Sequence, residues 1–364
     1  MSQNILSFII AIVTAFYSLF PNLPISGFMK KYYQPESKVE IYQLAPNPNG
    51  LIESYVIKTV NNKIIVIDGG TDGEGMNDPS YLPAAIRAIL RLHENEYFEI
   101  EAWFVSHAHS DHFFELAKML RDYNEKSNYK INNFYFNFPD IGVEWNSVSE
   151  NDAEPEAFQV LKDGFDNYFK RTNQDETYDS INGRYITDEA VENGLSFNID
   201  EVEIEVLQNW SKDDLIINST SVVFRLKYQD HSILFLGDTY TDSEKRLLEK
   251  YGADALKSEY VQMAHHGQNG ASKDFYDAID CKNSIRLWPA PAWVWNTDSS
   301  SDFAIYQTRE WLGLPGDSDE FISQGLNETG KDYVAGIYKK YPNKPSRKRS
   351  WTRSVLDEQL VARF

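Results

Sequence analysis

Cysteine is nearly absent from the sequence, and its absence excludes two kinds of structure. Only Cys281 is a cysteine among the 364 residues, so no disulfide can form within the chain. A zinc site built from several thiolates is excluded for the same reason. Any metal site must therefore use imidazole and carboxylate groups, and the chain has only seven histidines.

Basic residues are also scarce, with 35 Lys and Arg against 55 Asp and Glu and a net charge of −20. Such a surface repels polyanions, which argues against long nucleic acids as partners. The exception is residues 339–353, with seven basic residues and no acidic one. This stretch is predicted to be a solvated tail, with contact to a phosphate-bearing partner or a membrane surface as the alternative.

Charge is missing from the N-terminus, where residues 5–20 are apolar and no charged residue precedes Lys30. These residues make about 24 Å of helix at ~1.5 Å per residue, short of a ~30 Å hydrocarbon core. The basic start and small-residue cleavage site of a signal peptide are also missing. A membrane anchor or export signal is predicted, and thus a membrane-anchored or exported protein. The alternative is a helix docked on the folded domain.

Strand and helix patterns alternate from residue 38 onward. The clearest unit is a hairpin of two strands, 54–60 and 63–68, joined at Asn61-Asn62. This order predicts an α+β fold of two packed sheets with helices outside. Further strands are predicted at 38–45, 98–106, 131–138, 202–208, 221–228, 232–237 and 259–264, and helices at 84–93, 115–123, 155–170, 242–251 and 302–313.

Composition divides the chain into three segments. A folded domain is predicted at 36–338, between the apolar segment 1–35 and the basic tail 339–364. Residues 140–192 have fourteen acidic and four basic residues, and we interpret them as an insertion. The insertion would form a lid over the site or cover one sheet face.

The segment VSHAHSDHFF at 105–114 contains three of the seven histidines and one aspartate. His107 and His109 leave an extended chain on the same side. Asp111 and His112 follow at the turn into a helix, where they can face a second ion. Such a density of imidazole and carboxylate predicts a zinc-type metal site rather than isolated core or surface residues.

Two later loops place similar groups directly after apolar strands. Asp238 ends LFLGD, and His265 and His266 follow VQMA. Strand ends are the usual position for a site built on a rigid scaffold. Asp68, at the end of the hairpin, completes the set.

The order of these motifs resembles the metallo-β-lactamase-fold superfamily over roughly residues 38–300. Within it, Gly237-Asp238 and His265-His266-Gly267 are similar to a branch that includes the hydrolase domain of DNA-uptake channel proteins and phosphorylcholine esterases. The resemblance implies a four-layer αββα sandwich with a dinuclear site at one edge and hydrolytic chemistry.

The resemblance also implies ligands. One ion would take His107, His109 and a bridging Asp238, and the other Asp111, His112, Asp238 and one of the late histidines. Related motifs favour His265 as that ligand, with His266 as a proton donor at the leaving oxygen. Asp68 would orient the ligand loop. The catalytic groups expected from the resemblance are Asp111, His266 and Asp68.

One histidine of the superfamily pattern is missing between His112 and Asp238. The only histidine there is His231, at the opening of its strand and so at the wrong end to bind the metal. Asn137 or a water molecule is the expected replacement. The ion held by His107 and His109 is therefore predicted to be the less fully ligated one.

The predicted function is hydrolysis of a small phosphoester or phosphodiester by hydroxide bound to two divalent ions, zinc first and manganese second. Trp288, Trp293 and Trp295 would either pack in the core or form an aromatic wall for a cationic group. The alternatives are hydrolysis of a carboxylic ester, lactone or amide, metal-dependent oxidoreduction, and a membrane-tethered binding protein without catalysis. The sequence does not indicate an oligomeric state.

Overall fold

The computed structural model describes residues 38–44, 53–70, 81–122, 128–139, 154–214, 216–289, 305–312, 320–322 and 360–364. Contacts divide the chain into units 1–38 and 39–364, and only Lys38 of the first unit is described. Two seven-stranded sheets make up the second unit as described. The predicted N-terminal segment lies outside the described residues. None of the described helices is long and apolar enough to span a membrane.

The first sheet has the strand order β14-β1-β2-β3-β4-β5, with β6 beside β4. The second has the order β13-β12-β11-β10-β9-β8-β7. Their bounds are β1 Glu40–Gln43, β2 Ser54–Lys58, β3 Ile64–Asp68, β4 Phe98–Phe104, β5 Tyr129–Ile131, β6 Phe134–Tyr135, β7 Ser196–Ile199, β8 Val202–Gln208, β9 Val223–Tyr228, β10 His231–Phe235, β11 Tyr260–Gln262, β12 Ile285–Trp288, β13 Glu320–Ile322 and β14 Leu360–Arg363.

Nine α-helices lie among the described residues. They are α1 Tyr81–Leu90, α2 Ser110–Arg121, α3 Pro155–Arg171, α4 Tyr178–Ile181, α5 Asp188–Glu192, α6 Thr241–Tyr251, α7 Ala253–Leu256, α8 Lys273–Ala278 and α9 Ile305–Trp311. Three short 3₁₀ turns, at Ile217–Thr220, Ala264–Gly267 and Cys281–Asn283, complete the helical segments.

Alternation along the strands separates the apolar residues into layers. Ile65 and Ile67 of β3 pack between the two sheets, while Ile64 and Val66 face α1, α2 and α3 on the outside. In the second sheet Ile233 and Phe235 face the first sheet, and the outer face packs on α6, α8 and α9. Each fully buried side chain of this kind contributes about 1.5–3 kcal/mol. The predicted αββα sandwich is confirmed.

Parallel pairing brings the functional loops to one edge. β3 pairs with β4 in parallel, with Ile67 opposite Phe104, and β10 pairs with β11 in parallel, with Leu234 opposite Val261. Neighbouring parallel strands end on the same side of a sheet. The loops after β3 and β4 are therefore adjacent, as are those after β10 and β11.

The predicted insertion and the predicted basic tail each contribute an element to the layers of the first sheet. The helix predicted in the 140–192 insertion is α3, which packs on α2 as part of the outer layer of the first sheet. The two helices approach so closely at Gly164 that a Cβ there would lie 2.8 Å from Ala117 O. The end of the predicted basic tail, β14, pairs with β1 and extends the first sheet.

Candidate metal centre

The motif at 105–114 lies between the end of β4 and the start of α2. His109 immediately precedes α2 in an extended conformation, with φ −98° and ψ 147°. His107, two residues earlier, is fully buried. Asp111 and His112 lie in the first turn of α2. The helix dipole favours a carboxylate there, so α2 supports Asp111 in its charged form.

Asp238 reaches this motif through the tight turn after β10. Gly237 has φ 55°, and a Cβ there would lie 2.9 Å from Ser221 Oγ and 3.0 Å from Ser106 Cβ. Glycine is required by both the conformation and the close approach. The backbone N–H of Asp238 donates to Ser221 Oγ at 2.9 Å, which fixes the carboxylate at the strand end.

The late histidines lie in the 3₁₀ turn after β11. His265 (φ 52°, ψ 49°) and His266 (φ 57°, ψ 15°) are both left-handed, at a cost of roughly 1–3 kcal/mol each. Gly267 follows, and a Cβ there would lie 2.2 Å from Trp288 Cε3. Trp288 is thus a core residue beneath the turn, as one of the two interpretations predicted. Trp293 and Trp295 lie outside the described residues.

Asp238 is shared by two groups of potential metal ligands. Its Oδ1 is 3.2 Å from His112 Nε2, and its Oδ2 is 3.7 Å from both His107 Nε2 and His266 Nε2. His107 Nε2 also lies 3.1 Å from His109 Nδ1. The first group is His107, His109 and Asp238, and the second is Glu53, His112, Asp238 and His266.

Asp111 lies against the second group. Its Oδ2 is 3.0 Å from His266 Nε2, and its Oδ1 is 3.8 Å from His112 Nε2. The side chain is 16% exposed, whereas both imidazoles are buried. Asp111 therefore stands at the open side of the group, between the protein and solvent.

Unsatisfied atoms show that this cluster suits a cation. Among the described residues His112 Nε2, His266 Nε2 and Asp238 Oδ1 are buried without a hydrogen bond. The other imidazole nitrogens do have partners, since His112 Nδ1 lies 3.0 Å from Asp68 Oδ2 and His266 Nδ1 2.7 Å from Pro289 O. Carboxylate and carbonyl oxygens only accept, so the neutral rings carry their proton on Nδ1. Both Nε2 lone pairs therefore face the cluster, and the residues fit a divalent metal ion.

Asp68 supports the motif without entering either group. It is fully buried and accepts from Ser106 N at 2.7 Å and Ser106 Oγ at 2.9 Å. Its Oδ2 also accepts from His112 Nδ1. Asp68 has φ 50°, a conformation that aspartate tolerates better than most residues. The carboxylate thus holds both the backbone before His107 and the ring of His112.

His265 lies at the rim, outside both groups. Its Nε2 is 4.0 Å from Asp238 Oδ2, and its side chain is 24% exposed. Its Nδ1 is 3.0 Å from Asn269 O and 3.3 Å from Tyr240 Oη. The structure therefore brings His266, rather than His265, into the cluster. Sequence spacing could not show this, because the left-handed backbone decides which imidazole points inward.

Glu53 is a member of the second group that sequence reasoning missed. It is 1% exposed, with Oε2 4.0 Å from His266 Nδ1 and 3.2 Å from Gln262 Nε2, which donates to it. The signal was available, because Ser54 is paired with Asp68 in the hairpin. The residue before Ser54 must lie at the same sheet edge as the loop after β3.

Asn137 does not stand where the missing histidine would. Its Nδ2 donates to Ile186 O at 2.7 Å, and its Oδ1 accepts from Trp210 Nε1 at 3.2 Å. Both polar ends of the amide are therefore engaged elsewhere. His231 lies at the start of β10, 2.7 Å from Glu259 Oε2, at the opposite end of the strand from Asp238.

Mutual charges in the metal-free cluster set its protonation. Burial alone would raise the pKa of Asp238, but His112, His266 and His107 hold it well below its usual value. Burial would lower the pKa of His266, but Asp238 and Asp111 raise it to about 9. Burial, with His112 beside it, lowers the pKa of His107. Burial raises the pKa of Glu53 well above its usual value.

Part of the chain matches a known family model, and the fold has distant structural neighbours. Residues 48–189 match the family model of the metallo-beta-lactamase superfamily. No curated protein is a significant match to the sequence. The metallo-beta-lactamase fold protein YhfI from Bacillus subtilis is 11% identical over 78% of this chain and 95% of its own, with a TM-score of 0.40. CmlA, a diiron beta-hydroxylase from Streptomyces venezuelae, is 12% identical over 79% of this chain and 53% of its own (TM-score 0.41). Human tRNase Z, short form, is 13% identical over 69% of this chain and 91% of its own, with a TM-score of 0.34.

The resemblance predicted from the motifs is confirmed at the level of the superfamily. The two packed sheets with helices outside are consistent with the fold of that superfamily, and the matched segment contains Asp68 and the whole motif at 105–114. Asp238 and the late histidines lie beyond the match, where the structure brings them to the same site. The assignment to one branch stays a prediction.

Proposed function

We propose that the protein is a dinuclear metal-dependent hydrolase that acts on a small phosphoester or phosphodiester. The observation that carries the proposal is the sharing of Asp238 between two ligand groups. The carboxylate lies 3.2 Å from His112 Nε2 in the second group and 3.7 Å from His107 Nε2 in the first, so it can reach both groups, as a bridging ligand must. Imidazole and carboxylate donors favour zinc, with manganese as a second candidate.

The proposed ligands follow the geometry. His107, His109 and Asp238 would hold one ion, and His112, Asp111, Asp238 and His266 the other. His266 replaces His265 in this assignment because its Nε2 lies 3.0 Å from Asp111 Oδ2, whereas His265 lies at the rim. Glu53 stands behind His266, on the side of Nδ1, and we assign it to positioning that ring.

Two ions bound at these groups would lower the pKa of a shared water and stabilise the charge that develops on the attacked group. The chain itself supplies orientation. Asp68 holds the ring of His112, and Pro289 O holds that of His266. His265, with Nδ1 donating to Asn269 O, presents Nε2 at the solvent side and is placed to exchange a proton with substrate.

The phosphoester part rests on the similarity of the Gly237-Asp238 and His265-Gly267 segments to phosphodiesterase-type relatives. The net charge of −20 favours a small substrate over a nucleic acid. The proposed substrate class can be tested on zinc- or manganese-loaded protein in side-by-side assays. The substrates are bis-p-nitrophenyl phosphate, p-nitrophenyl phosphorylcholine, p-nitrophenyl acetate and a lactone. Cleavage of the phosphoesters, lost in His266→Ala and kept in His231→Ala, is expected. Faster cleavage of the acetate or lactone would contradict the substrate class, and no cleavage of any substrate would contradict the hydrolase.

A further inference from the structure

Gln262, the last residue of β11, is a fully buried glutamine at the edge of the second sheet where the functional loops lie. Its Oε1 accepts hydrogen bonds from Leu236 N and Gly237 N, both at 2.7 Å. Its Nε2 lies 2.8 Å from Met263 O, 3.1 Å from Gly237 O and 3.2 Å from Glu53 Oε2. The two N–H donors at Oε1 fix the orientation of the amide. Because a buried amide needs such partners, the segments that provide them show what this side chain holds together.

Gln262 connects the turn after β10 to the turn after β11. The paired residues of the two strands end before these turns. Beyond them, the Gln262 side chain accepts from the N–H of Gly237 and donates to its carbonyl oxygen. Gly237 O also accepts from His265 N at 3.1 Å. The turn that carries Asp238 and the turn that carries His266 are therefore bound to each other through one glycine and one amide.

Glu53 extends this connection to the first sheet. It lies directly before β2, and its Oε2 accepts from Gln262 Nε2. The same oxygen is 4.0 Å from His266 Nδ1, and the backbone N–H of Glu53 donates to Asp111 O at 3.3 Å. One amide thus contacts, directly or through one residue, the segments that carry Asp238, His266 and Asp111.

The histidines of the first ligand group are not part of this connection. Among the described residues, the side-chain hydrogen bonds of Gln262 go to the two turns and to Glu53, and none goes to His107 or His109. An effect of Gln262 should therefore fall mainly on the ion of the second group.

We propose that Gln262 is a positioning residue of the metal centre, which holds Asp238 and His266 at the separation that one ion requires. The inference rests on the proposed metal-dependent function. Asp238 Oδ2 lies 3.7 Å from His266 Nε2, and both residues belong to the second ligand group. Metal–ligand distances tolerate deviations of only about 0.2 Å, so a turn that moves further loses its ligand. The Gln262 amide opposes such a movement because it bonds to both turns.

Zinc titration of the full-length protein against a competing chelator, which resolves the two binding steps, tests this role. Gln262→Met keeps the length of the side chain and removes every hydrogen bond of the amide. Affinity for the ion at His112 and His266 should fall about 10–100-fold, and affinity for the ion at His107 by less. His109→Ala removes a ligand of the first group alone and so identifies the step that belongs to the second. With cobalt in place of zinc, the visible absorption spectrum of the second site should change as well, since it reports ligand geometry.

Gln262→Glu covers the case in which Gln262→Met does not fold. One carboxyl oxygen still accepts from Leu236 N and Gly237 N, but the other replaces the Nε2 donor, so the same step should weaken. Gln208→Met is the matched control, because Gln208 ends β8 of the same sheet and is 6% exposed, and it should keep both affinities. Wild-type affinities in both Gln262 variants, or an equal loss at both steps, would overturn the proposal. A wild type that binds no zinc would contradict the proposed function, and this inference with it.

Discussion

The two ligand groups that share Asp238 differ in the partners of the imidazole nitrogens that face away from the cluster. In the second group, His112 is held by Asp68 and His266 by Pro289 O, and both rings are buried. In the first group, Ser106 Oγ is the one group among the described residues that contacts His107 Nδ1, and His109 is half-buried. Partners behind a metal ligand typically contribute 10–100-fold in affinity. We therefore expect the second group to be the tighter metal site.

Replacing His112 should give the largest effect on this difference. His112→Ala leaves Asp68 and Asp238 buried beside each other without their shared imidazole, and loss of such a partner costs about 3–5 kcal/mol. Metal affinity of the second group should fall by more than the 10–100-fold expected from loss of a supporting residue. Chemical denaturation and metal titration measure both, with His231→Ala as the control. Equal damage from His109→Ala would remove the distinction between the groups.

Asp68→Asn tests the support without removing a ligand. The amide keeps the shape but weakens the acceptor for His112 Nδ1 and Ser106. Affinity for the ion at His112 should fall about 10–100-fold, and affinity for the ion at His107 by less, because Asp68 holds His107 only through Ser106. Competition with a chelator resolves the two steps. A uniform loss at both steps would show that Asp68 supports the whole motif rather than one group.

Metal affinity should depend steeply on pH up to an unusually high value. His266 has a pKa of about 9 in the metal-free cluster, against 6.5 for a free side chain, and it must lose its proton to bind an ion. The pKa of His112 is raised as well, so affinity should rise at least tenfold per pH unit until pH 9. The stability of the metal-free protein should change with pH in the opposite direction. The contribution of His266 is complete below pH 6.5 and is lost as pH rises through 9. An affinity that levels off at pH 7 would contradict the raised pKa.

Glu53→Gln should have the smallest effect. Burial raises the pKa of Glu53 and so favours its neutral form, which an amide of the same size replaces well. Metal content should not change, and stability should change by less than about 1 kcal/mol. Elemental analysis and thermal unfolding provide the check. Loss of one ion would show instead that Glu53 is an ionised ligand.

Local patterns predicted much of this architecture. The hairpin of β2 and β3, the motif after β4 and the strand before Asp238 are each specified by short runs of residues, and the structure has them close to the predicted bounds. Their common edge also follows from parallel pairing, which the sequence order of strands and helices indicates.

Features that depend on residues distant in the sequence, or on a left-handed backbone conformation, could not be predicted from local patterns. β14 joins β1 across more than 300 residues, and Arg363 pairs with Glu40 at 2.7 Å, a contact that no local pattern contains. The exchange of His265 for His266 depends on two left-handed residues held over Trp288. Periodicity describes side-chain direction only for regular backbone, so it fails at this turn.

Metal content of Asp238→Ala tests the shared carboxylate most directly. Asp238 is the one residue that belongs to both ligand groups of the described structure, so its removal should empty both. Elemental analysis should find about two ions per wild-type chain and close to none in Asp238→Ala, with the exposed-residue control Asp254→Ala unchanged. A variant that keeps the wild-type load, or loses only one ion, would contradict a site bridged by Asp238.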